Sequence, residues 1–139
     1  MVAGIGCRAG VSGEQVLAAI AAAIAALRAI EVSGATAAVQ HRTLTAIATP
    51  ASKASEPGIR AAATARVVPL LAIAQPDLEA ANAATVTRSA HSMAAMNVHS
   101  VAEAAALAGA AALANSTPHL LLPRIAVGPV TCSLASLTP

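Results

Sequence analysis

The chain contains no phenylalanine, tyrosine or tryptophan. Stacking of bases on aromatic platforms, the route used by most single-strand RNA and DNA binders, is therefore excluded. An aromatic cage for a quaternary ammonium ligand is excluded by the same lack. Charge is scarce as well: charged residues are 10% of the chain, and eight basic against six acidic side chains leave a net +2. All but one of the basic residues are arginines, scattered singly from Arg8 to Arg124, and Lys53 is the one lysine. No stripe tracks a phosphate backbone, so nucleic acid is not an expected partner. The two cysteines, Cys7 and Cys132, lie at opposite ends of the chain and form no CxxC pair. They read as free thiols in a reducing compartment. His41, His91, His99 and His119 do not fall at metal-ligand spacings and no cysteine stands near them, so no metal site is expected. The chain also lacks a P-loop, a GxSxG nucleophile elbow and a pair of carboxylates on one face.

What the chain does have is aliphatic bulk. Hydrophobic residues make up 57% of its 139 residues, and roughly three residues in ten are alanine. A core must therefore be built from Ile, Leu, Val and Ala. Scaling of surface with mass gives roughly 6,500 Å² folded against about 20,000 Å² extended, enough burial for one core without metal or disulfide. The composition excludes a charged disordered tail and predicts a single domain over residues 1–139. Met1 leads directly into Val2-Ala3-Gly4 with no basic n-region. The apolar stretch Val16 to Leu27 is too short and too alanine-rich to span a bilayer. A cytoplasmic, soluble protein with no membrane partner is the expectation.

Along the chain, a short strand over Val2 to Ile5 runs into a glycine-rich turn ending at Gly10. Ser12 and Gln15 then form a capping box, and Leu17, Ile20, Ile24 and Leu27 recur at helical steps until about Ile30. Thr43 to Thr49 reads as a second strand, ended by Pro50. Pro57-Gly58 opens a short helix to about Ala65. Val67 to Ile73 reads as a third strand, with Pro69 marking an edge or a late start. A brief helix runs from Pro76-Asp77 to about Ala84, and Thr85 to Asn97 reads as an irregular linker. Ser100 and Glu103 form a second capping box, opening a helix to about Ala114. Leu120 to Val127 and Val130 to Ala135 flank Gly128-Pro129 as an antiparallel hairpin. This alternation predicts an α/β fold: a single-domain three-layer arrangement with a mixed, mostly parallel sheet of about five strands, ending in that hairpin.

Several residues are placed for chemistry. Gly4, Gly6 and Gly10 follow a first strand, but their spacing is GxGxxxG and no acidic residue stands where a ribose-binding carboxylate belongs. A dinucleotide cofactor is therefore not expected. The same glycines serve either a tight strand-to-helix turn or the close approach of an anion to the helix start at Ser12. Lys53 lies in the loop after the second strand, at the sheet edge where open α/β sheets bind ligands. It is either a ligand contact or a surface lysine paired with Glu56. Glu103 is either the N3 member of its capping box or an acid–base group. Cys7, beside Arg8 and ahead of a helix, is a nucleophile if its pKa is lowered and a structural thiol otherwise.

Three stretches together carry a resemblance. Gly4-Ile5-Gly6-Cys7-Arg8-Ala9-Gly10, then Lys53-Ala54-Ser55-Glu56-Pro57-Gly58, then Ser100-Val101-Ala102-Glu103-Ala104-Ala105-Ala106-Leu107 resemble, in order and spacing, the CobE/CbiG C-terminal family of cobalamin biosynthesis. The resemblance covers nearly the whole chain. It implies a protein handling a corrinoid or precorrin intermediate, with other enzymes of the pathway as candidate partners and no resident cofactor. Family members occur as the C-terminal domain of a longer enzyme, cobalt-precorrin-5A hydrolase, which opens a ring lactone with release of acetaldehyde, and they also occur alone; the stand-alone form, without the N-terminal portion of that enzyme, is the expectation here. The implied ligand set is Gly6, Cys7, Arg8, Gly10, Ser12, Lys53, Glu56, Gly58, Ser100 and Glu103. If the chain is instead an enzyme, Cys7, Lys53, Glu56 and Glu103 are the catalytic candidates. His99 stands where small residues are more usual in the family and is not counted as a metal ligand. A third reading, independent of the resemblance, is a small α/β interaction module with no ligand.

Overall fold

The computed structural model describes residues 1–33, 43–86, 100–114 and 117–137. Its elements run β1 (Val2–Cys7), α1 (Gly13–Ser33), β2 (Ala46–Pro50), α2 (Pro57–Arg66), β3 (Leu70–Ile73), α3 (Gln75–Val86), α4 (Val101–Leu113), β4 (His119–Val127) and β5 (Val130–Ser136). The strands form one sheet in the order β3-β2-β1-β5-β4. The β1–β2 and β2–β3 pairs are parallel, while β5 pairs antiparallel with both β1 and β4. The expected α/β architecture, with its closing hairpin, is the one observed.

Alternation along each strand sends side chains to two helical layers. Ala3, Ile5, Ile47 and Leu134 pack with Val16, Ile20, Leu27 and Ile59 of α1 and α2. Val2, Ala46, Ala48 and Ala135 pack with Leu78 of α3 and Ala105, Ala106 and Ala110 of α4. The first layer carries the larger residues, each worth about 1.5–3 kcal/mol when fully buried. The second layer is built on close approach instead. A side chain at Gly4 would collide with the Ala102 carbonyl and the Ala106 amide, and one at Gly109 would meet the Ala48 methyl at 2.8 Å. Small residues on both partners thus let α4 lie directly on β1, where dispersion over many short contacts replaces the area that aromatic residues would bury.

Several boundaries differ from those read along the sequence, each for a tertiary reason. Gly4 and Gly6 are strand residues, not turn residues, because β1 is the central strand and must accept α4 on one face. Helix α1 continues to Ser33. Its length and the mean hydropathy of 2.0 over an 18-residue stretch of it match a membrane span, yet Val16, Ala19, Ile20, Ala23 and Leu27 are buried against the sheet layer. Strand β2 starts at Ala46; the preceding Thr43 and Thr45 instead hydrogen-bond the terminal Met1, the Thr43 carbonyl accepting from its ammonium at 2.9 Å. Pro69 acts as both its readings foresaw, since β3 starts at Leu70 and is an edge strand. Helix α3 extends from Gln75 to Val86, overrunning the first residues of the expected linker, the rest of which lies outside the described residues.

Two local features stand out. Helix α2 ends with Val67 at φ 55°, ψ 47°, in the left-handed region. The Val67 amide donates to the Thr64 carbonyl and the Val68 amide to the Ala63 carbonyl, the paired bonds of a Schellman end in which glycine is the usual residue. Strand β4 is irregular between Leu122 and Ile125, around Pro123, which has no amide hydrogen to offer a ladder. The groups freed there are recovered by side chains: Ser133 Oγ donates to the Leu122 carbonyl at 2.8 Å, and the Arg124 amide donates to Glu103 Oε2 at 3.3 Å.

Candidate functional site

Because β1 and β2 are parallel, their carboxyl ends deliver two loops to the same sheet edge. The loop after β1 turns at Gly10, whose φ of +85° is readily adopted by glycine alone. It leads to Ser12, and both bonds of the capping box form: the Gln15 amide donates to Ser12 Oγ at 3.1 Å and the Ser12 amide to Gln15 Oε1 at 2.9 Å. The loop after β2 begins with a 3-10 turn over Ala51–Lys53 and reaches α2 at Pro57. Glu56 joins the loops, accepting the Gly10 amide hydrogen at 2.9 Å through Oε1. Gly58 is buried beneath the same junction, where a Cβ would overlap the Val11 carbonyl. The third motif arrives with α4, since a Cβ on Gly6 would lie 3.7 Å from the Ala102 amide. The ends of β1 and β2 and the first turns of α1, α2 and α4 therefore converge.

The residues singled out in the sequence differ in their surroundings. Ser12 and Ser100 are engaged as caps, Ser100 at 4% exposure accepting from the Glu103 amide at 3.3 Å. Gly6 and Gly58 are close-approach positions. Arg8 and Gly10 are exposed, and Cys7, Lys53, Glu56 and Glu103 are half-buried. Glu103 completes only half of its expected capping box. The serine side of the box forms, but the carboxylate reaches across to Arg124 of β4, because the irregular strand leaves that amide without a ladder partner.

Cys7 departs from the nucleophile reading. It is the last residue of β1, not the start of a helix, and α1 begins only at Gly13. Burial pushes its thiol pKa up; the nearby Lys53 cation offsets part of this and the Glu56 carboxylate adds to it. A thiol in that setting holds its proton at neutral pH, so thiolate chemistry is not favoured. The effect also places Cys7, Lys53 and Glu56 in one neighbourhood. Cys132 is buried in the core beneath α1, with its pKa pushed up to about 12.

Two threonines escaped the sequence reading. Thr131 of β5 stands opposite Gly6 and donates its hydroxyl to the Gly6 carbonyl at 3.2 Å. Thr49 of β2, fully buried, donates to the Ile5 carbonyl at 3.0 Å. Both brace the end of β1, and both depend on strand register, which no local pattern discloses. Among the described residues no three His, Cys, Asp or Glu side chains gather around a metal-sized site; His41, His91 and His99 lie outside the described residues. A cavity of about 1030 Å³ lies apart from this cluster, between α3, α4 and β3, and none of the expected ligand residues lines it. Among the described residues its walls are mostly apolar and carry no Lys or Arg, whereas the strand-end cluster carries Arg8 and Lys53.

The family model described as cobalamin synthesis G C-terminus matches residues 1–135. The crystal structure of cobalamin biosynthesis protein chiG from Agrobacterium tumefaciens str. C58 superposes with a TM-score of 0.69 at 37% identity, covering 99% of this chain and 98% of that one. The crystal structure of CobE, a protein from the cobalamin (vitamin B12) biosynthetic pathway, superposes with a TM-score of 0.69 at 31% identity, covering 96% of this chain and 90% of that one. No match is found among curated proteins. These matches over almost the full chain place the protein in the CbiG C-terminal family, as a cobalamin biosynthesis protein of CbiG/CobE type.

Proposed function

We propose that the protein binds a corrinoid or precorrin intermediate through the ligand's peripheral carboxylates and acts as a carrier or accessory factor. The observation that carries this reading is the convergence of all three motif segments at one sheet edge, two of them joined by the Glu56–Gly10 bond and the third brought in by the close approach of Gly6 to Ala102. Arg8 and Lys53 supply cations there, and the first turns of α1, α2 and α4 add the positive ends of three helix dipoles. A ring of carboxylates around an apolar macrocycle is the complementary ligand. The hydrolase reading draws less support. Its nucleophile candidate Cys7 has a raised pKa, and its carboxylate candidates Glu56 and Glu103 are both engaged with backbone amides.

The test is a visible-absorbance titration of a corrin carboxylic acid against the wild type, Arg8→Ala and Lys53→Ala. Each variant is expected to bind more weakly by about 1–3 kcal/mol, the scale of a charge-assisted hydrogen bond, and to fold normally. Unchanged affinity in both variants would show that the strand-end cluster does not hold the ligand.

A further inference from the structure

We draw no further inference here: the strongest candidate, the apolar cavity of about 1030 Å³ between α3, α4 and the edge strand β3, has Asp77 and His119 among otherwise mostly aliphatic walls, and nothing in the structure shows what covers it.

Discussion

Replacing Glu103 separates its two possible roles. In the structure its carboxylate accepts from the Arg124 amide across the irregular part of β4, linking the first turn of α4 to the edge of the sheet. A hydrogen bond to a charged acceptor contributes about 1.5–3 kcal/mol at full strength. This one is 3.3 Å long and exposed, so water recovers part of it, and a figure near 1 kcal/mol is appropriate. A carboxylate in the first turn adds about 0.3–1 kcal/mol through the helix dipole. Alanine's better helix propensity returns a few tenths of this. Glu103→Ala should therefore destabilise the protein by about 1–1.5 kcal/mol. Glu103→Gln retains an acceptor for the Arg124 amide and loses only the charge, so it should cost about 0.5 kcal/mol. Urea unfolding followed by circular dichroism suits the measurement, since the chain has no aromatic fluorophore. Both variants should retain corrinoid binding. Equal stability of Glu103→Ala and wild type would refute the structural role. A stable, ligand-binding Glu103→Gln that had lost a lactone-opening turnover seen in wild type would instead make Glu103 the acid–base group of a hydrolase.

Two further perturbations test the fold. Val67 is 89% exposed, so Val67→Gly loses almost no burial while relieving a left-handed strain of about 1–2 kcal/mol, offset by the greater freedom of glycine when unfolded. The net gain should be about 0.5–1 kcal/mol, read as a higher urea midpoint; a lower midpoint would mean the C-terminus of α2 is not strained. The buried Cys132 thiol makes the protein sensitive to alkali. With Cys132 raised from an ordinary 9.0 to about 12, the native state keeps a proton that the unfolded chain releases, so this stability is intact below pH 9 and is lost as pH rises toward 12. Cys7 acts in the same direction. Urea unfolding at pH 8 and pH 10.5 should show a smaller alkaline loss in Cys132→Ala than in wild type, by up to a few kcal/mol, and identical pH slopes would contradict the burial of this thiol.

Much of the fold is legible in the sequence where its cause is local. The Ser12–Gln15 box, the proline start of α2 and the Gly128-Pro129 hairpin each act over a few residues, and each forms as expected. Pro69 places an edge because a proline cannot donate to a ladder. What escapes is set by partners far along the chain. Gly4 and Gly6 resemble a phosphate-type turn by spacing, yet Gly4 is dictated by the bulk of α4, about a hundred residues later. Glu103 meets Arg124 only because β4 is irregular, and the Thr131–Gly6 contact requires the antiparallel register of β1 with β5. The cluster of Cys7, Lys53 and Glu56 was foreseeable from parallel β1 and β2. The raised pKa of Cys7 was not, because burial depends on the packed layers on either side.

The central claim, stoichiometric corrinoid binding, is tested most directly by gel filtration of the full chain mixed with a corrin carboxylic acid. Without aromatic residues the protein is nearly transparent at 280 nm, so peptide absorbance locates the protein and visible colour reports the ligand alone. Co-elution of about one corrinoid per chain, diminished in Lys53→Ala, is the predicted result; a colourless protein peak across several corrin intermediates, with and without cobalt, would contradict it.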